Sequence, residues 1–296
     1  MNYFDIAWSS KKDGPGTRTV LFLQGCNLHC IWCHSPHSQP KCPPVLFYKD
    51  YCKKCGKCEE CCEIGNHIVS RQKHLFKRDG CTFCEKCILS CPNNALEYKF
   101  YKETPEAVFE KLKPELMLLR DIGGITVSGG EPLLQYTELK ELLKLCKSSG
   151  IHTAVETCAA VDKVFFEETY AYVDCWLFGL KQTDKKLCKS MTGADFDMII
   201  NNLIFLAKKA PEKIIIRMPL ITGFTDDTAN IQSIAGIMKS NNINNLQLLP
   251  YNPFTANFYK AAGIPFDEKR FTIPTDSMLG TVLDSFISLG INAAIV

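Results

Sequence analysis

The sequence predicts an α/β fold: a partial (β/α)6 barrel of the TIM type built from residues 1–40 and 98–296, interrupted by a small α+β insert at 41–97. Three observations predict it. From Thr104 onward strand-like and helix-like segments alternate, the pattern of a parallel sheet covered by helices. The unusual residue runs fall just after the strand-like segments, where barrels of this kind build their active sites. Thirteen of the seventeen cysteines lie between Cys26 and Cys91, most of them at metal-ligand spacing.

The first strand is Thr17–Gln24. Thr104-Pro105 is a helix start, with a capping threonine and proline at the first helical position. Pro114 is expected to end that helix and begin a shorter one through Leu119. Gly124–Ser128 is the second strand, and Tyr136–Ser149 is an amphipathic helix closed by Gly150. Further strands are expected at His152–Glu156, Val173–Leu180, Lys213–Pro219 and Ile243–Pro250. Helices near Val161–Tyr170, Asp195–Lys209 and Asp226–Ser240 lie between them, and Thr275–Val296 adds a helix and a last strand. The roughly 240 residues outside the insert suit a partial barrel better than a full eight-fold one.

Composition narrows the function. A net charge of +2 gives no reason to invoke nucleic acid or an anionic membrane. Asp5, Lys11, Lys12 and Asp13 make the first residues too polar for a signal peptide. No apolar run approaches the ~18 residues of a membrane helix. The expectation is a soluble, cytoplasmic protein. A secreted disulfide scaffold would be much shorter.

The cysteine spacing carries the chemistry. Cys26, Cys30 and Cys33 stand as Cys-x3-Cys-x2-Cys with no fourth cysteine at ligand spacing. A four-iron cluster normally takes four thiolates, so three leave one iron open to a ligand, and an open position marks a metal site that does chemistry. Farther on, Cys52, Cys55, Cys58 and Cys62 read Cys-x2-Cys-x2-Cys-x3-Cys, and Cys81, Cys84, Cys87 and Cys91 repeat that spacing before Pro92. This repeat resembles bacterial ferredoxins, in which the fourth cysteine of each run ligates the other cluster. The resemblance assigns Cys52, Cys55, Cys58 and Cys91 to one 4Fe–4S cluster and Cys81, Cys84, Cys87 and Cys62 to a second. Cys61 beside Cys62 is a competing ligand that fits the spacing less well. Cys42 has no assigned role. Paired zinc sites are the other reading of eight such cysteines, although zinc motifs usually pair two Cys-x2-Cys units. Lys53, Lys54, Lys57, Arg71, Lys73, Lys77 and Arg78 in the insert could attract an acidic electron donor such as a flavodoxin or ferredoxin, or simply be solvated.

Each run after a strand has a physical job. Gly129 and Gly130 in Ser128-Gly129-Gly130-Glu131 permit close backbone approach to a ligand. Glu131 can hold the turn or a ligand's ammonium. Glu156 ends the third strand, and Lys181 and Arg217 supply positive charge for a carboxylate or ribose.

The Cys26–Cys33 spacing resembles the signature of the radical SAM superfamily. Asp13-Gly14-Pro15-Gly16-x-Arg18, Gly124 to Leu134, Arg217 before Thr222–Asp227, and Leu248-Leu249-Pro250-Tyr251 resemble, more narrowly, the glycyl radical enzyme activating enzymes. That likeness covers nearly the whole chain and includes the two-cluster insert, which pyruvate formate-lyase activase lacks and many other activases have. The resemblance implies three 4Fe–4S clusters and S-adenosylmethionine bound at the open iron. It implies reductive cleavage to a 5′-deoxyadenosyl radical and removal of one hydrogen from a backbone glycine of a partner enzyme. It implies that Cys26, Cys30 and Cys33 act through the cluster. The cofactor contacts it implies are Trp32, Cys33, His34, Ser128, Gly129, Gly130, Glu131, Lys181 and Arg217. A setting without oxygen follows, because oxygen destroys exposed clusters.

Two positions depart from the resemblance. Gly179-Leu180-Lys181 stands where relatives carry Asp-x-Lys, which puts a monovalent-cation site in doubt. Asn252 replaces a histidine often seen there, and that role is not transferred. Two other functions fit part of the pattern: radical chemistry on a small metabolite, and a polyferredoxin-like electron carrier. The carrier would leave Gly129–Glu131 unexplained.

Overall fold

In the computed structural model, which describes all residues 1–296, thirteen strands form in chain order. The first seven are β1 (Asn2–Ser10), β2 (Thr17–Leu23), β3 (Leu46–Phe47), β4 (His67–Val69), β5 (His74–Phe76), β6 (Leu96–Glu97) and β7 (Tyr101–Lys102). Then follow β8 (Gly123–Gly129), β9 (His152–Thr157), β10 (Cys175–Gly179), β11 (Ile214–Leu220), β12 (Asn245–Pro250) and β13 (Asn292–Ile295). Nine of them make one sheet in the order β13-β12-β11-β10-β9-β8-β2-β1-β7. From β2 to β13 every pairing is parallel. Only the β1 and β7 edge is antiparallel. The two edge strands do not pair with each other, so the barrel stays open at the side.

The helices are α1 (Lys57–Glu60), α2 (Lys86–Leu89), α3 (Pro105–Leu119), α4 (Tyr136–Ser148), α5 (Lys163–Thr169), α6 (Lys185–Thr192), α7 (Phe196–Ala207), α8 (Thr228–Ser240), α9 (Thr255–Ala262) and α10 (Asp276–Ser288). The larger ones cover the outer face of the sheet. α4 buries Leu139, Leu142, Leu143 and Cys146 at helical spacing, and α7 buries Ile199, Leu203 and Leu206. Because helices lie outside and side chains fill the lumen, β8, β10 and β11 are buried along most of both faces, and β10 reads as a continuous apolar run.

The lumen is layered. Ala154, Cys175, Leu177 and Ile215 pack as an apolar plug across three neighbouring strands. Two residues farther along each strand, on the same face, come Glu156, Gly179 and Arg217. Arg18 bolts the entrance to the plug and is fully buried. Its Nε donates to Thr126 Oγ1 (3.0 Å) and its Nη2 to the His152 carbonyl (3.3 Å) and the Ile125 carbonyl. Burial pulls its pKa down to about 10, so it remains a cation.

The six expected strands form within a few residues of their expected bounds, and the final helix and strand are present. Three features differ. α3 runs through Pro114 without a break. Pro114 denies a hydrogen bond only to the carbonyl of Glu110, both residues are solvent-exposed, and Val108, Leu112, Leu116 and Leu119 bury one continuous stripe. β1 was not anticipated, because two register shifts against β2 break its alternation. The short helices α6 and α9 were also not anticipated.

The cysteine-rich segment has its own small core of Val45, Phe47, Cys58, Phe76, Ala95 and Leu96. β3 pairs antiparallel with β6, and β4 with β5. The repeated spacing folds twice into the same turn. α1 starts after Gly56 at φ 84° and α2 after Glu85 at φ 60°, both left-handed. Arg78 donates to the Val45 carbonyl within the segment (3.3 Å) and ties the segment to the barrel by donating to the Ala261 carbonyl in α9 (2.6 Å).

Candidate active site

A cavity of about 560 Å³ opens at the C-terminal ends of the parallel strands. That size suits a drug-sized cofactor. Strand polarity explains the location, since every loop leaving a parallel strand emerges on the same side. Of the residues expected at the site, Cys26, Trp32, Cys33, His34, Ser128, Gly129, Gly130, Lys181 and Arg217 all line this cavity, with Cys30 among them. Glu131 does not.

The Cys26–Cys33 loop is held by backbone hydrogen bonds on both sides. Cys26 N donates to Gln39 O (3.0 Å), His29 N to Thr192 O (2.9 Å) and Ile31 N to Met191 O (2.9 Å). The last two partners sit at the end of α6. That helix is capped by Asp184, whose carboxylate accepts from Leu187 N (2.8 Å), and ends at Gly193 with φ 79°. Burial pushes the Cys30 thiol up to about 12 and raises Cys33 as well. Thiols in so dry a pocket stay protonated unless a cation or metal takes the charge.

Lys181 supplies one such cation. Its ammonium has no hydrogen-bond or ion-pair partner in the protein and faces Cys26, Cys30 and Cys158. Although burial disfavours its charge, those thiols and Glu131 hold its pKa above the ordinary value. A Cβ at position 179 would lie 2.9 Å from Lys181 Nζ, the mobile end of that side chain, so Gly179 leaves the ammonium room in its present place.

Below Lys181, Arg217 Nη1 donates to Glu156 Oε1 (2.9 Å) and Nη2 to the Lys12 carbonyl (2.7 Å). Ser128 Oγ donates to the other carboxylate oxygen of Glu156 (2.6 Å). Burial alone would raise the Glu156 carboxyl, but Arg217 and Ser128 outweigh it and hold it below the usual range. Arg217 is therefore already paired, and its buried Nε has no partner. Asp13 lies 3.6 Å from it. The loop carrying Lys12 and Asp13 thus reaches the cavity floor, which local spacing could not foretell.

Glu131 holds the turn. Its carboxylate accepts from Leu133 N (3.0 Å), Thr157 Oγ1 (2.9 Å) and Cys158 N (2.7 Å), and it is fully buried. It laces the end of β8 to the end of β9 and leaves no oxygen for a ligand's ammonium. The glycines are also needed for a different reason than expected. A Cβ at Gly130 would lie 2.1 Å from Gly25 O, and one at Gly129 would lie 2.4 Å from Leu23 N. The close approach is between the β2 and β8 chain ends themselves. Asn252 is a turn residue, its Oδ1 accepting from Phe254 N (2.9 Å).

Cys158 is another site residue whose role spacing did not suggest. It lines the cavity next to Cys26, and the contact lowers the Cys26 thiol while raising its own.

In the cysteine-rich segment two hollows form. Cys52, Cys55, Cys58 and Cys91 line one, and Cys61, Cys62, Cys81, Cys84 and Cys87 line the other. Cys62 Sγ accepts from Asn66 N (3.3 Å), and Cys91 Sγ accepts from Ala95 N (3.4 Å), four residues on in each case. Cys61 instead donates toward the Cys58 carbonyl (3.5 Å) and contacts Ser90 Oγ (3.3 Å).

Comparison with known proteins agrees with this geometry. The radical SAM superfamily model matches residues 78–231. The indoleacetate decarboxylase activating enzyme of Tractidigestivibacter scatoligenes is 31% identical, across 99% of this chain and 96% of the relative. The 4-hydroxyphenylacetate decarboxylase activating enzyme of Clostridioides difficile strain 630 is 32% identical, across 97% and 93%. The (2S)-3-sulfopropanediol dehydratase activating enzyme of Klebsiella oxytoca is 34% identical, across 91% and 88%. Among solved structures, QueE from Escherichia coli superposes with a TM-score of 0.52 at 12% identity, covering 100% of this chain and 93% of that one. That likeness bears on the fold alone. No helix is long and apolar enough to cross a membrane.

Proposed function

The chain belongs to the radical SAM superfamily and, within it, to the glycyl radical enzyme activating enzymes, and from that premise we propose which of its residues do the work. Cys26, Cys30 and Cys33 hold a 4Fe–4S cluster with one iron open for S-adenosylmethionine. The donor set fits this group: three thiols and an unpaired ammonium share one cavity. When bound, the cofactor and cluster together supply a 5′-deoxyadenosyl radical, which takes one hydrogen from a backbone glycine of the partner enzyme.

This chain's residues bind, orient and shield. Lys181 offers its free ammonium to the cofactor carboxylate and to the negative charge of the thiolates. The Arg217–Glu156–Ser128 network shapes the cavity floor, with Arg217 acting through Glu156. Glu131 is a positioning residue that fixes the Gly129–Gly130 turn. Trp32 packs on Ile221 and Tyr251 and walls the cavity from water. A glycine Cα–H offers no acid for a general base to remove, and no acid–base pair is assigned.

Residues 41–97 form a ferredoxin-like insert with two further 4Fe–4S clusters, one held by Cys52, Cys55, Cys58 and Cys91, the other by Cys81, Cys84, Cys87 and Cys62. The two hollows support this division, and the matching sulfur hydrogen bonds of Cys62 and Cys91 support Cys62 over Cys61. An acidic electron donor, a flavodoxin or ferredoxin, docks where exposed Lys53, Lys54 and Lys57 surround exposed Cys55.

The relatives serve decarboxylases and a dehydratase by their names, so the shared element is the partner's glycine rather than one small substrate. The single observation that carries this reading is the convergence of Cys26, Cys30, Cys33 and Lys181 on one cavity. Anaerobic reconstitution tests it. Release of 5′-deoxyadenosine from S-adenosylmethionine should occur with wild type and vanish with Cys30→Ala. Release that survives Cys30→Ala would refute the assignment.

A further inference from the structure

Two buried histidines stand behind the first cysteine run of the insert, and the radical chemistry uses neither. They face each other across the β4–β5 hairpin, where Val69 pairs with His74 and His67 with Phe76. His74 Nδ1 lies 3.2 Å from Cys52 Sγ. His74 Nε2 lies 3.0 Å from His67 Nδ1 and 3.7 Å from Cys58 Sγ. The Phe47 and Phe76 rings pack against the pair.

Chemistry fixes the proton positions. A cluster thiolate can only accept. His74 must therefore carry a proton on Nδ1 to donate to Cys52, and the nearer partner of its Nε2 is His67 Nδ1 (3.0 Å) rather than Cys58 Sγ (3.7 Å), so across that contact His67 donates and His74 Nε2 accepts. The reverse order would aim a nitrogen lone pair at a thiolate. Hydrogen bonds to ligand sulfurs draw off electron density and raise a cluster's potential. The second run has nothing equivalent: no side chain donates to Cys62, Cys81, Cys84 or Cys87, and only the Asn66 N–H reaches Cys62.

We propose that His74 is a positioning residue for the first insert cluster, donating to Cys52 with its tautomer set by His67, and that this relay makes the two insert clusters unequal in potential despite identical cysteine spacing. The proposal rests on the cluster assignment above. The relay gives the insert a directional difference that its repeated sequence alone would not supply.

The test is a redox titration of the anaerobically reconstituted full-length protein, followed by electron spin resonance, with iron and zinc counted. Wild type should show two distinct insert midpoints. His74→Phe should lower the higher one and leave the other unchanged. His74→Asn should restore it in part, because the amide can donate from nearly the same place. His67→Phe should shift it in the same direction by less. If His74→Phe loses its cluster, His67→Phe decides: a lowered midpoint supports the relay and an unchanged one overturns it. A fully loaded His74→Phe protein with wild-type midpoints overturns the histidine proposal and leaves the cluster assignment standing. The ligand atoms of Cys58, His67 and His74 lie within 4.8 Å of one another. One zinc ion in the insert with no cluster iron would therefore overturn both.

Discussion

Arg217 Nη1 sits 2.9 Å from Glu156 Oε1 inside the barrel lumen, and Arg217 is only 3% exposed. The pair is closed by Ser128 on one side and by the Lys12 carbonyl on the other. Removing Glu156 leaves a buried Arg217 with only Asp13 at 3.6 Å to offset its charge, and removing Arg217 leaves a carboxylate that is 26% exposed to the cavity, so each loss should cost on the order of 1–3 kcal/mol, less than for a fully buried pair. Arg217→Met and Glu156→Gln should each lower the thermal midpoint of the loaded protein by several degrees. The double variant should be less damaged than the two losses added, because no lone charge remains. Simple additivity would show that the pair is not coupled.

Lys181 gives a separable prediction. Lys181→Met should keep the cluster iron but weaken S-adenosylmethionine binding by about 10–100-fold, the loss expected for one charge-assisted hydrogen bond. Equilibrium binding with iron counted in the same sample checks it. Unchanged affinity would mean that the ammonium serves the thiolates alone.

The glycines separate close contact from mere flexibility. Gly130→Ala would drive a Cβ to 2.1 Å from Gly25 O and should cost on the order of 3 kcal/mol as overpacking. Gly236→Ala, at an exposed position of α8 with nothing within 4 Å, should instead stabilise by about 0.5–1 kcal/mol. Thermal midpoints of the two variants should move in opposite directions.

This contrast also shows how much of the site was legible. The cysteine spacings, the Gly129–Gly130 turn and the strand–helix alternation are local patterns, and the Cys26–Cys33 loop and the glycine turn lie together at the strand ends around one cavity. For Glu131 the sequence left two roles open, holding the turn or a ligand's ammonium, and the bonds from Thr157 and Cys158 across two strands show it holding the turn. The entry of Lys12 and Asp13 into the cavity depends on β1 folding back antiparallel on β2, and that pairing carries two register shifts. Pro114 misled because the penalty for proline in a helix depends on whether the freed carbonyl reaches water. In Asp184 and Gly193, α6 carried both of its end signals, but its eight residues are too few for a clear period.

His37 gives the pH dependence. Its ring is buried between Phe4 and Phe258, and burial holds its pKa down to about 4, with His34 and Lys99 adding to the effect and Asp5 opposing it. The unfolded chain takes up this proton first, near the ordinary value of 6.5. The stability linked to His37 is therefore complete above that value and is lost as the pH falls toward the folded value. By about pH 5 the loss is roughly 2 kcal/mol. His37→Phe should flatten the fall in thermal midpoint between neutral pH and that point. An equal slope in both proteins would contradict the assignment.

Cys61 and Cys62 differ in their hydrogen bonds, so iron counting separates them. Cys62→Ser should lose about four of roughly twelve irons, and Cys61→Ser should lose none. The opposite result would reverse the ligand choice.

The most direct measurement is electron spin resonance on a candidate glycyl radical enzyme mixed without oxygen with this protein, S-adenosylmethionine and a strong reductant. The account predicts a glycyl doublet in the partner that appears with the wild-type protein and is absent with Cys30→Ala. Release of 5′-deoxyadenosine with no glycyl signal in any partner candidate would contradict it and point to radical chemistry on a small molecule instead.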